Sequence, residues 1–262
     1  MLPPSDPPRV RLPPIVALCG PAGTGKSTLA RALARLAPTI DLTFETGHRP
    51  MLGDPTAHTC EHVTSQLPTQ GVVLPLAGPL KSMLRTLGVP EIHLTGTLAD
   101  KERPLDLLCG RTARHAMQSL GTEWGRECIH PELWLRAWRH AAEQTTSAGG
   151  CPSLIIVDDL RFDNEAAYLR GLGAIIVRLF RDGIHYEQGH ASERPVAYDA
   201  GVELWPHASQ SFGIDPTDIS DRRNAQELLE AVVRVDSRRT RPDEPTALQE
   251  LLLATHRANG RP

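Results

Sequence analysis

IVALCGPAGTGKSTLARALARL, from Ile15 to Leu36, is the stretch that decides the fold. Five apolar residues, Ile15 to Cys19, read as a short buried strand. They meet the pattern G-x-x-x-x-G-K-[ST] as Gly20-Pro21-Ala22-Gly23-Thr24-Gly25-Lys26-Ser27. Leu29, Leu33 and Leu36 then recur at helical spacing, so strand, glycine loop and helix follow one another without a gap. That order builds a phosphate-binding loop. Glycines let the backbone curl around an anion and aim its N–H groups inward, and the helix N-terminus adds free donors and a positive dipole end. Lys26 supplies a mobile charge for β- and γ-phosphates, and the Ser27 hydroxyl supplies a hard oxygen for Mg²⁺. Residues 20 to 28, ending at Thr28, are therefore the expected nucleoside-triphosphate contact.

The rest of the chain has to supply the sheet around that loop. A length of 262 residues suits one α/β domain with embellishments. Apolar residues make up 40% and aromatics only 4%, so a core must be built from Leu, Ala, Val and Ile. A net charge of −3 and pI near 6.4 do not suggest a dominant nucleic-acid-binding face. The five cysteines, at 19, 60, 109, 128 and 151, form no C-x-x-C pair and read as reduced thiols. No apolar run reaches membrane-spanning length, so a cytoplasmic protein without a membrane partner is expected.

Residues 1–14 are proline-rich and read as a disordered leader. A long insertion, 38–71, lacks sustained periodicity; its His48, His58, Cys60 and His62 fit no common zinc spacing. Strands are expected at 72–76, 154–157, 174–181 and 217–220, in addition to the first. Helices are expected at 78–88, 111–121 (stopped by Gly121), 131–144, 164–173 and 224–235. Residues 89–110 read as loop, and 182–216 as an irregular lid region. A charged, proline-broken tail, 237–262, carries one further amphipathic pattern. Strands alternating with helices predict a three-layer, doubly wound parallel sheet of about five strands, with the site at their carboxyl ends.

Two features speak to chemistry beyond the loop. The apolar run 154–157 ends in Asp158-Asp159, where a carboxylate can hold Mg²⁺ directly or through water. Cationic side chains gather downstream: Lys81 and Arg85 one turn apart, then Arg111, Arg114 and Arg126. Spacing alone does not separate an anion site from a solvated face for the first pair.

The ordered set GPAGTGKST, PLAGPLKSML, DKERPLD, LGTEWGR, PELW, VDDLRFDNEA and HASE resembles the bacteriophage deoxynucleoside monophosphate kinases, over residues of about 15–235. The resemblance implies a P-loop fold like that of the nucleoside monophosphate kinases, with a kinase domain over 15–236. It implies ATP and Mg²⁺ as donor and metal, and a deoxynucleoside monophosphate as acceptor. Asp159 then takes the metal position with Ser27, and Arg161 and Glu165 follow in register. Lys26, Arg126 and Arg161 become the catalytic set; Lys81, Arg111, Arg114, Arg126, His190, Ser192 and Glu193 match the acceptor side and lid. Phage origin would place the chain in the host cytoplasm, and a homodimer is compatible with the resemblance. Related phage kinases phosphorylate 5-hydroxymethyluracil in DNA, and the 38–71 insertion keeps that acceptor open.

Overall fold

The computed structural model describes residues 12–36, 71–147, 152–184, 195–204, 219–239, 246, 248–250 and 252–253. Five parallel strands form one sheet in the order β2-β3-β1-β4-β5. They are β1 (Ile15–Cys19), β2 (Val72–Val73), β3 (Ile155–Val157), β4 (Ile175–Phe180) and β5 (Ala200–Glu203). β1 sits at the centre, between β3 and β4. Every residue of β1 and of β3 is buried, as continuous apolar strands covered on both faces require.

Alternation along the strands splits the core in two. Val16, Leu18, Ile156, Val177 and Val202 face helix α1 (Lys26–Leu36) and helix α8 (Ile219–Arg239). Ile15, Ala17, Cys19, Ile155, Val157 and Ile176 face helices α6 (Leu133–Ser147) and α7 (Asp163–Gly171). The layers are thus helix, sheet, helix. A smaller cluster, with Leu80, Leu84, Leu94, Ala113 and Trp134, is built by α2 (Gly78–Thr86), α3 (Glu91–Thr95), α5 (Ala113–Ser119) and the start of α6. The chain runs from β1 outward to β2, returns through β3, and crosses β1 to reach β4. The carboxyl end of β1 therefore lies at the point where strand order reverses, the usual ligand position in such sheets.

Four expectations need correction. Residues 89–110 are not plain loop: they hold α3, α4 (Leu98–Glu102) and a single 3₁₀ turn, Asp106–Leu108. α4 is started by a reciprocal cap, in which Thr97 and Asp100 satisfy each other's backbone N–H. Gly121 does not stop α5. The chain continues through it into a π-helical segment, Leu120–Ile129. The wider winding leaves the Gly121 carbonyl to the Trp134 indole N–H, 2.8 Å away. Of the stretch 217–220, read as a strand, Ile219 and Ser220 begin α8, and the two residues before them lie outside the described residues. The fifth strand is β5, inside the segment read as irregular. Its register depends on pairing Val177↔Ala200 and Leu179↔Val202, a contact between segments that local pattern does not display.

Several readings fall partly or wholly outside the described residues: most of the 1–14 leader, the body of the 38–71 insertion, much of the 182–216 lid region with His190, Ser192 and Glu193, and most of the 237–262 tail. Of the tail, Leu248 is buried on the α1–α8 face of the sheet. No helix among the described residues is long and apolar enough to cross a membrane.

Candidate active site

The loop after β1 has the backbone its glycines forecast. Gly20 and Gly25 adopt φ of +140° and +92°, conformations that L side chains rarely take. A Cβ on Gly20 would also lie 2.8 Å from the Leu179 carbonyl of β4, so the loop can pack on that strand only with glycine there. Leu29 N–H donates the first α-helical bond, to Gly25 O at 2.9 Å. The N–H groups before it, at Lys26, Ser27 and Thr28, are the donors a helix N-terminus leaves over. Thr24 is fully buried and its hydroxyl donates to Pro21 O at 2.9 Å, holding the curl from inside. Lys26 folds back, donating from Nζ to the carbonyls of Gly20 (2.8 Å) and Pro21 (2.6 Å). α1 carries no acidic residue in its first turn. Glycine curl, helix N-terminus and an ammonium at its mouth fit a polyphosphate.

At the end of β3 the two aspartates part company. Asp159 accepts from Leu76 N–H (2.7 Å, Oδ1) and from Ala77 N–H (3.0 Å, Oδ2). Both its oxygens thus hold the turn between β2 and α2, and its burial pushes its carboxyl above the usual range despite those two donors. It lines a cavity on the α6–α7 side of the sheet. β3 ends at Val157, and alternation carried one residue further would turn Asp158 toward the opposite face, the one covered by α1. Asp158 is only 9% exposed, and no hydrogen bond or ion pair to it occurs among the described residues. A carboxylate at the carboxyl end of β3 suits a hard cation such as Mg²⁺. Asp159, expected to hold the metal with Ser27, has both oxygens on backbone N–H groups.

The cavity has a volume of about 390 Å³, within the range of small-ligand sites. Its walls come from α2, α5, the π-helical segment, α6 and the turn after β3. Five cations line it: Lys81, Lys101, Arg114, Arg126 and Arg161. Burial holds Lys101 below the usual lysine range, and the neighbouring Lys81, Arg161 and Arg114 charges add to that. So many cations around one cavity favour an anion. Arg126 is fixed from two directions. Its Nη2 lies 3.2 Å from Glu165 Oε1, and its guanidinium carbon sits 4.9 Å from the centroid of the Phe162 ring. Trp134 backs the same wall: a Cβ on Gly125 would come within 2.5 Å of the Trp134 Nε1, so only glycine lets the indole reach Gly121 O.

Of the cations singled out in the sequence, Lys81, Arg114, Arg126 and Arg161 meet at this cavity. Arg85 does not; its guanidinium forms a two-point pair with Glu91 at the surface, 2.6 and 2.9 Å. Arg111 does not either. It is exposed, and its backbone closes the 3₁₀ turn through Leu105 N–H to Arg111 O, 3.0 Å. The sequence reading missed Lys101, because a five-residue helix is too short to show a period. Its signal was the Thr97-x-x-Asp100 cap.

The sheet order, with a glycine loop and helix directly after the central strand, describes the architecture. It is a P-loop fold of the nucleoside monophosphate kinase type. No family model matches the chain. A protein of Acanthamoeba polyphaga mimivirus named "Putative deoxynucleotide monophosphate kinase" is 29% identical to it over 124 residues. Those residues are 45% of this chain and 64% of that protein, so the match spans a little under two thirds of the relative's length. The kinase-type fold and that relative point in one direction.

Proposed function

We propose that the chain transfers the γ-phosphate of ATP to a deoxynucleoside 5′-monophosphate. The observation that carries this reading is the cavity beside the β3 carboxyl end, lined by Lys81, Lys101, Arg114, Arg126 and Arg161 and sized for one small molecule. A phosphate-binding loop alone would serve an ATPase or a switch. A second anion site at the same sheet edge gives the donor an acceptor. The mimivirus relative's name supports a nucleotide as that acceptor.

In this reading, residues 20–28 bind the donor phosphates and Lys26 leaves its loop carbonyls to meet them. Ser27 and Asp158 would hold Mg²⁺, which when bound would offset the charge of the donor phosphates. Lys81, Lys101 and Arg114 hold the acceptor's phosphate. Arg126 and Arg161 balance charge between the two sites, since a guanidinium fork matches phosphate oxygens. The acceptor phosphate is already a nucleophile at neutral pH, so no general base is required. Asp159 acts by fixing the Leu76–Ala77 turn that leads into Lys81.

The test is incubation with ATP, Mg²⁺ and each free deoxynucleoside monophosphate in turn. Formation of the diphosphate from at least one, weakly dependent on salt, is expected. A chain inert on all of them that labels 5-hydroxymethyluracil-containing DNA, with activity falling steeply as salt rises, would replace this acceptor with DNA.

A further inference from the structure

β4 ends at Phe180 and the chain turns at once, with Ile184 N–H donating to Arg181 O at 3.1 Å and Gly183 at φ +72°. This turn overlies the phosphate-binding loop. A Cβ on Gly23 would sit 3.8 Å from Ile184 Cδ1, and one on Gly25 would sit 3.2 Å from Arg181 Nη2. Arg181 therefore reaches the mouth of the loop from a strand that pairs directly with β1, in register Cys19↔Arg178. Its Nε and Nη2 are buried, and among the described residues neither has a hydrogen-bond partner. Lys26 at the same mouth is satisfied by two loop carbonyls. Among the described residues, Nε and Nη2 of Arg181 have no such substitute. Guanidinium nitrogens taken out of water without an acceptor are unfavourable, and an anion arriving in the loop would reverse that.

We propose that Arg181 is a second cationic ligand for the donor's phosphates, reaching from β4 into the loop beside Lys26. This rests on the donor half of the proposed function and is independent of the acceptor. Because Arg181 is positioned by sheet register, it meets the polyphosphate without any closure over the site. The planar fork also allows two parallel bonds to phosphate oxygens, which a lysine there could not make.

The experiment measures binding of inorganic tripolyphosphate and of ATP to the full chain, to Arg181→Gln and to Arg181→Lys, by calorimetry. Arg181→Gln is expected to bind both about 10- to 100-fold more weakly, as loss of a charge-assisted bond implies. Arg181→Lys should lose several-fold, keeping the charge without the fork. Melting temperature and deoxynucleoside monophosphate binding should stay as in the unsubstituted chain. Undiminished tripolyphosphate binding in Arg181→Gln overturns the proposal, and so does an equal loss of monophosphate binding, which would mark general damage. Should Arg181→Gln fail to fold, undiminished binding in Arg181→Lys has the same force. An unsubstituted chain that binds no tripolyphosphate removes both this proposal and the donor reading. One that binds it through Arg181 yet phosphorylates no monophosphate removes only the acceptor reading.

Discussion

Arg126 and Glu165 form an ion pair of 3.2 Å, and the same Glu165 carboxylate accepts the backbone N–H groups of Arg161 (3.1 Å) and Phe162 (3.2 Å). One side chain thus caps the start of α7 and orients a guanidinium in the cavity, so the helix start and the π-helical segment are joined through it. Arg126→Ala should raise the acceptor KM about tenfold or more, as expected for a lost charge-assisted contact, and lower kcat as well. Arg126→Lys should recover little, since it keeps the charge and loses the fork. Steady-state kinetics on the best monophosphate would decide this; an unchanged KM in Arg126→Ala would remove Arg126 from the acceptor site.

Glu165 also makes stability respond to pH. Its burial raises its carboxyl above the ordinary 4.5, with the Asp159 charge adding to that and the backbone donors and Arg126 opposing it. A raised carboxyl binds its proton more tightly in the folded chain than in the unfolded one. Its contribution is therefore fullest below 4.5 and declines as pH rises from there through the folded value. Relative to Glu165→Gln, the unsubstituted chain should lose urea-midpoint stability over that rise. A parallel pH course for the two proteins would contradict it.

Asp158 and Asp159 should separate cleanly on substitution. Asp159→Asn leaves one of the Leu76 and Ala77 N–H groups facing an amide N–H₂, and should cost about 1–3 kcal/mol of stability. Asp158→Asn should leave the melting temperature near that of the parent and weaken Mg²⁺ instead. Mg²⁺ titrations, read by ATP binding as well as by turnover, distinguish them. A larger metal defect in a folded Asp159→Asn would return the metal to that residue.

Lys26→Ala should keep the fold, because Thr24, the glycines and the packing of Leu29 and Leu33 shape the loop without it. Phosphoryl transfer should fall by about a hundredfold to a thousandfold, the usual loss for one preorganised electrostatic contact. Turnover within a few-fold of the parent in a folded variant would exclude Lys26 from the transfer step.

Thiol reactivity offers a check on the sheet. Cys19 is buried in the central strand, and that burial pushes its thiol up to about 11, against the opposing pull of Arg178 and Lys26. Cys109 and Cys128 are exposed. At neutral pH iodoacetamide should modify Cys109 and Cys128 and spare Cys19 until denaturant is added, as mass spectrometry of peptides would report. Early labelling of Cys19 would mean that β1 is not central.

The sequence alone determined the parts whose information is local. Ile15 to Leu36 specifies strand, loop and helix because each element's period and each glycine act within a few residues. The apolar runs 154–157 and 174–181 likewise announce strands buried on both faces, and they flank β1 as β3 and β4. The carboxyl edge of β3 as the place for acidic residues was legible for the same reason. What only tertiary structure decided are contacts between distant segments. Asp159 meets Leu76 N–H across 83 residues of chain, and with the Ala77 N–H beside it both its oxygens go to the turn. β5 exists because Ala200 to Glu203 finds the open edge of β4, an attraction invisible in its own four residues. Lys101 joins the cavity because it sits on a capped five-residue helix, and Arg111 lies outside it beyond the 3₁₀ turn that follows. Residue type sets what a side chain can do; the crossing of segments far apart in the chain sets what it meets.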